Sequence, residues 1–301
     1  MKPKIDLNSP ITKMALMLQQ NEMKKAWEME QTVEKAVIPI YSVPKSKAHQ
    51  EIKTKPEQIG TGVLVNIKTE YFIFSTTHVF AEFDSKSILT GTLEYSPVEE
   101  IIGERFSSGN LDNRIDKYDA TVFHIQSEIS EFLKKIAITL VDFDFEGCDS
   151  LNPIYMITGF RAKESNTSGN EIKSKARNYP TVEIDDYLEY GYDKTRQIVL
   201  AYPNQTLVDG KWQTSPKPIG MSGGAIIKAQ GTTLRIKKTE RKTEKQLLSA
   251  ITIEQHRDQG DKLGILLGTR VNVHLGLIHQ CMPGLLDDFL KEYNEKKVPN
   301  N

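Results

Sequence analysis

The apolar positions of this chain change period twice. From Pro10 to Val33, Ile11, Met14, Ala15, Leu18, Met23, Ala26 and Trp27 recur at intervals near three and four, with Gln19, Gln20, Glu22, Lys24 and Lys25 between them. That spacing predicts an amphipathic helix. Ser9 before Pro10 supplies an N-cap and a first helical residue whose missing N–H has no helical partner to lose. The stripe either packs on the body of the protein or docks a regulatory protein, since methionine-rich faces adapt to several surfaces.

From Ala36 the pattern becomes one of short β-branched and aromatic runs. Ala36–Val43 reads as a strand, and Lys45–Gln58 as a charged connection with Pro44 and Pro56 as breakers. Gly62–Ile67 and Tyr71–Ser75 read as a hairpin around Lys68-Thr69-Glu70, followed by strands at Ile88–Tyr95, Val98–Ile102 and Ala120–Ile125. Ile129, Phe132, Leu133 and Ile136 share a helical face in the bridge Glu128–Ile136. Further strands are expected at Ala137–Leu140 and Ile154–Gly159, then an exposed polar loop from Arg161 to Tyr179. Thr181–Tyr190 and Arg196–Ala201 read as a strand pair. Gly223–Lys228 and Leu247–Glu254 flank the charged excursion Arg235–Lys245, and Leu263–Leu267 is strand-like. The period then returns to helical, with Val271, Leu275, Leu277 and Ile278 on one helix and Leu285, Leu286 and Phe289 on a shorter one started by Pro283. The pattern predicts an all-β protein of two lobes, a double β-barrel with helices at both ends. Residues 1–35 form an N-terminal helical extension, 36–267 the β body with lobes at about 36–127 and 137–267, and 268–301 a C-terminal helical tail.

Composition narrows the function. With 301 residues and 38% hydrophobic content, the chain can build a core without metal or disulfide help. Lys plus Arg number 39 and Asp plus Glu 40, a balance that points away from nucleic acid as a partner. Cys148 and Cys281 form no CxxC pair, and two buried or partly buried free thiols are the better expectation than a disulfide. No run approaches the roughly 18 apolar residues of a membrane span, and the start Met1-Lys2-Pro3-Lys4-Ile5-Asp6 does not read as a secretory leader. The expectation is a soluble, cytoplasmic protein with no membrane partner. Glycine-rich phosphate loops and HExxH zinc motifs are absent, so no cofactor and no metal is expected.

Three segments carry chemistry. In Gly220-Met221-Ser222-Gly223-Gly224 the glycines permit a turn that exposes a serine hydroxyl and aims backbone N–H groups at the same point. The N–H groups of Gly220 and Ser222 would then form an oxyanion hole, where one donor is worth roughly 3 kcal/mol; a plain glycine-rich turn would read the same way. Ile73-Phe74-Ser75-Thr76-Thr77-His78-Val79-Phe80 places a histidine at the end of an apolar run, where it is either a satisfied core residue or a base of pKa near ~6.5 able to take a serine proton. Lys117-Tyr118-Asp119-Ala120-Thr121-Val122-Phe123 puts a carboxylate at the mouth of a strand, as a turn cap or as the acceptor of the histidine's Nδ1–H. Asp116 sits in polar sequence and is the weaker candidate.

Thr76-Thr77-His78, Asp119-Ala120 and Gly220-Met221-Ser222-Gly223-Gly224, in that order, resemble the trypsin-like (chymotrypsin-fold) serine peptidases, particularly their bacterial members. The resemblance spans about Ala36 to Leu267. It implies a serine endopeptidase of protein or peptide substrates, with Ser222 as nucleophile, His78 as base, and Asp119 fixing the tautomer of His78. It also implies an S1 pocket based on Pro216, hence a small or apolar residue before the cut, and a substrate-pairing strand at Ser249-Ala250-Ile251-Thr252; Asp209 is a weaker candidate for the pocket rim. Three features depart from the family. Thr77 replaces the usual alanine, no activation cleavage site precedes the first strand, and about 34 residues follow Leu267, too few for a peptide-binding PDZ domain. Two other readings share every motif: an enzyme latent until a partner orders its loops, and a catalytically inactive binding or scaffold module. By family likeness alone, such proteins include proteases of stress and antiphage modules.

Overall fold

The computed structural model describes residues 9–42, 56–81, 87–91, 96–97, 99–109, 116–146, 152–168, 171–208, 211–234, 243–259 and 262–297. In chain order the helix α1 (Pro10–Glu28) and the turn of helix α2 (Thr32–Lys35) lead into β1 (Val37–Ser42), β2 (Glu57–Ile67), β3 (Glu70–Thr76) and α3 (Thr77–Ala81). There follow β4 (Ser87–Thr90), β5 (Ser96–Pro97), β6 (Glu99–Ser107), β7 (Ala120–Ile125), α4 (Glu131–Ile136) and β8 (Ile154–Phe160). Next come β9 (Asn166–Ser168), β10 (Glu171–Lys173), β11 (Ala176–Thr181), α5 (Tyr187–Tyr190), β12 (Gln197–Ala201), β13 (Gln205–Val208) and β14 (Lys211–Thr214). The chain ends with β15 (Ala225–Gln230), β16 (Lys245–His256), β17 (Ile265–Arg270), α6 (Val271–Cys281) and α7 (Asp287–Lys297).

Strand pairing closes one barrel, not two. The first lobe is a closed barrel in the order β1-β2-β3-β7-β6-β4. The second is a six-stranded antiparallel sheet, β11-β8-β15-β16-β17-β12. Its edges are linked past the end of β11 by the isolated bridge Glu183–Leu200 and the bonds Ala201 N–H to Val182 O and Ile184 N–H to Val199 O. Irregular chain therefore stands where a strand pair would complete the cylinder. A small sheet, β5-β10-β9, joins a strand of the first half to two of the second.

Several elements differ from the pattern reading for local reasons. The N-terminal helix stops at Glu28 because Met29 turns extended (ψ 153°), and its first half stays in solvent, with Ile11 75%, Met14 54% and Met17 64% exposed. Only its C-terminal end is anchored, through buried Ala26 and the buried Glu22 carboxylate, which takes the Thr233 N–H at 3.0 Å. Ala137–Leu140 makes only a bridge at Ile138, because the Asp142 carboxylate takes the Thr139 N–H and winds a 3-10 turn over Leu140–Asp142. The loop 161–179 contains β9, β10 and the start of β11, and β12 pairs along its length with β17, meeting 181–190 only at the Glu183–Leu200 bridge and its flanking bonds. Cys281 is free but exposed, not buried as expected, because it is the last residue of α6; Cys148 lies outside the described residues. No helix of the described residues is long and apolar enough to cross a membrane.

α6 leaves β17 and lies against β7. Its His274 is fully buried, stacks on Phe74 with ring centroids 5.1 Å apart, and donates its Nε2–H to Ser75 O at 3.1 Å. Burial pushes the His274 pKa down to about 4, so the ring is neutral.

Candidate active site

β3 and β7 are paired through Thr76 and Ala120, so the residues just beyond that pairing emerge at the same end of the barrel. One is His78, in the first turn of α3; the other is Asp119. The Asp119 backbone holds φ at +45°, a conformation that aspartate tolerates better than most side chains. Its carbonyl accepts the Thr77 N–H at 3.1 Å. The carboxylate reaches His78 twice: Oδ1 accepts the backbone N–H at 3.0 Å, and Oδ2 lies 2.5 Å from Nδ1. That second contact requires Nδ1 to carry the proton and leaves Nε2 as the basic nitrogen. Asp116 serves elsewhere, accepting from Ser108 Oγ at 2.5 Å and from the Tyr118 N–H at 3.0 Å in the turn before β7.

Ser222 comes from the other lobe, in the turn between Pro218 and β15. Gly220 (φ +89°) and Gly223 (φ +83°) take up the left-handed backbone that this turn requires. Space demands glycine at 223 as well, since a Cβ there would lie 1.9 Å from Thr61 O and 2.1 Å from Ser75 Oγ. Met221 is fully buried in an apolar cluster with Tyr155, Ile157 and Tyr202. Backbone hydrogen bonds consume the N–H groups of Met221 (to Pro218 O), Gly223 (to Thr252 O) and Gly224 (to Met221 O). Among the described residues, those of Gly220 and Ser222 make none, which leaves two donors beside the serine. The Ser222 hydroxyl donates to Ile253 O at 3.1 Å.

Thr61 of β2 fastens this turn to the barrel. Its N–H binds Ser222 O at 2.9 Å and its hydroxyl binds Gly220 O at 2.9 Å, while its carbonyl accepts from Ser75 Oγ at 2.7 Å. The Thr61 Oγ also accepts the Phe160 N–H from β8 at 3.1 Å.

His78, Asp119 and Ser222 line one cleft of about 460 Å³, together with Lys217, Pro218, Ile219, Ile253, Glu254, Gln255 and Arg257. Some of the expected binding residues lie elsewhere. Ala250 and Ile251 are fully buried and paired on both sides, with β15 and with β17. Ser249 is buried too, with its hydroxyl on Asp144 Oδ2 at 2.6 Å. None of the three reaches the cleft. The part of β16 that does is Ile253–Gln255, beyond the last β15 pair at Ile251 and around a register shift between Thr252 and Glu254. Pro216 does not line the cleft either; its carbonyl accepts the Tyr202 hydroxyl at 3.0 Å. Burial holds the Tyr202 phenol well above its ordinary range, so it remains a donor there. Asp209 lies outside the described residues. Among the described residues no group of three or more His, Cys, Asp or Glu side chains is placed to hold a metal ion.

No protein-family model matches this sequence, and a comparison with curated proteins finds no match. Among solved structures the chain is similar to neuropsin, a serine protease expressed in the limbic system of mouse brain. The TM-score is 0.50 at 13% identity, over 85% of this chain and 97% of that one. The likeness is one of fold: the chain has a trypsin-like serine protease fold.

Proposed function

We propose that this trypsin-like fold is a working serine endopeptidase, with Ser222 as nucleophile, His78 as general base and Asp119 as the group that orients the base. The observation that carries the reading is the doubly bonded pair, His78 Nδ1 and N–H on the Asp119 carboxylate, in the same cleft as a serine on a glycine turn. In this mechanism Ser222 turns from Ile253 O toward His78 Nε2, gives up its proton and attacks a peptide carbonyl. The Gly220 and Ser222 amides hold the resulting oxyanion. The imidazolium, stabilised by Asp119, protonates the leaving amine, and water resolves the acyl-enzyme through the same base.

Substrate positioning follows from β16. Past Ile251 its edge on the β15 side has no strand partner among the described residues. An extended peptide added there by β-augmentation runs beside Ser222. The substrate is thus a protein or peptide, and the domain organisation is a peptidase body over about 36–267 carrying helical extensions.

The test compares wild type with Ser222→Ala, using fluorophosphonate labelling and a diverse peptide library read by mass spectrometry. Wild type labels and cuts; the variant does neither and melts at the same temperature. Wild type that never labels, beside a control peptidase that does, overturns the assignment. The bond from Ser222 to Ile253 O favours one refinement, a hydroxyl parked until substrate occupies the strand edge. Its signature is labelling that a bound non-cleavable peptide accelerates; labelling at the same rate with and without that peptide removes it.

A further inference from the structure

Apart from the His78–Asp119 pair, the cleft is lined by three charged side chains: Lys217, Glu254 and Arg257. Glu254 Oε1 lies 3.0 Å from His256 Nε2, and the two cations outnumber this one acid. Lys217 makes no ion pair among the described residues, and Arg257 spends one Nη1–H on the neutral Asn204 Oδ1 at 3.3 Å. Lys217 follows Pro216, whose carbonyl is tied to Tyr202, and Asn204, which accepts from Arg257 Nη1, also takes the Ser215 N–H on its carbonyl at 2.9 Å. The two positive groups thus border the same wall of the cleft, from two different segments.

Which side of the scissile bond they face follows from the chemistry, on the reading of the site given above. His78 delivers the proton to the leaving amine, so the amine side of the substrate departs past His78. The scissile carbonyl belongs to the acyl side and meets the Gly220 and Ser222 amides, so the acyl side runs along the wall of segments joined to that turn, Lys217–Ile219 and, through the Ser222–Ile253 bond, Ile253–Gln255 with Arg257. We infer that this wall selects peptides with an aspartate or glutamate on the acyl side of the cut, with Lys217 and Arg257 as specificity-determining residues. The apolar preference expected from Pro216 is replaced, because Pro216 does not reach the cleft while the residue after it does.

Two arms test this. Fluorogenic peptides identical except for Glu, Gln, Leu or Lys at the acyl-side position next to the cut are ranked by kcat/KM. Glu is expected to exceed Gln by roughly tenfold, the scale of two partly exposed charge contacts, with the gap shrinking in about 1 M salt, where the screening length falls to about 3 Å. In Lys217→Glu/Arg257→Glu the order reverses in favour of Lys. In the second arm the same peptides bind Ser222→Ala protein in fluorescence anisotropy, a readout that needs no turnover. Cleavage with equal or better rates for Leu or Lys, or a Glu preference untouched by the charge reversal, overturns the specificity and leaves the peptidase reading standing. Acid-selective binding by a protein that never cuts has the converse meaning.

Discussion

Replacing Asp119 by asparagine isolates one chemical event, because the structure dictates which way the new amide must face. The His78 backbone N–H points at Oδ1 at 3.0 Å. An asparagine in the same place keeps its carbonyl oxygen on that donor, since the reverse orientation would set two donors against each other. Its NH2 group then faces Nδ1, which must become an acceptor, and the imidazole shifts to the tautomer protonated at Nε2. That nitrogen can no longer take the Ser222 proton, and the imidazolium loses its counter-charge. The expected loss in kcat/KM is on the order of 10⁴, or about 5 kcal/mol of transition-state stabilisation. Stability should fall by no more than about 2 kcal/mol, the scale of one hydrogen bond to a charged group, because asparagine also tolerates the φ of +45° at this position. The assay pairs fluorophosphonate labelling rates and peptide hydrolysis with thermal melting of the same samples. Labelling and hydrolysis within about tenfold of wild type in a folded Asp119→Asn protein would refute the tautomer argument.

Two further outcomes follow from the packing around the site. Gly223→Ala forces a Cβ into Thr61 O and Ser75 Oγ and places alanine in the left-handed region at about 1–2 kcal/mol. It also disturbs the bonds Thr61 N–H to Ser222 O and Gly223 N–H to Thr252 O, each worth about 1 kcal/mol, so urea unfolding should show a loss of about 3–4 kcal/mol; a loss below about 1 kcal/mol would contradict the close approach. His274, with its folded pKa depressed from 6.5 to about 4 by burial, contributes stability that is complete above pH 6.5 and is lost as pH falls toward 4, by about 3 kcal/mol. His274→Gln should flatten the stability profile over that window, and an unchanged slope would remove His274 as its cause.

Sequence patterning reached the parts of the molecule whose signal is local. The hairpin around Lys68-Thr69-Glu70, the strand Ala120–Ile125 and the glycine turn at 220–224 each combine a period-2 run or a glycine cluster with a hydrophobic flank, and short-range physics determines them. The helix break at Met29 was not legible, because buried Ala26, Met29 and Val33 keep helical spacing across it while the backbone turns extended at Met29. The cleft-lining part of β16 was hidden for a different reason. Leu247–Glu254 reads as one uniform strand, and only its pairing, with β15 beginning opposite Ile251 and the register against β17 shifting after Thr252, separates the buried Ser249–Ile251 from the cleft-lining Ile253–Gln255. Nothing in the residues around Thr61 marks it as a hub either, since its role comes from three other segments converging on it. Position 216 stands one residue from the exposed Lys217, a distance smaller than the precision with which spacing alone places a loop.

The Thr61 contacts give the lobes a common fate. One side chain and its peptide group knit the Ser222 turn, the β8 end and the strand leading to His78 into a single seam. The lobes cannot part by even a hydrogen-bond length without separating Ser222 from the His78–Asp119 pair. On the proposed reading of the site, heat inactivation tracks the opening of the lobe interface, and a molecule whose halves have come apart is already silent before either half has melted.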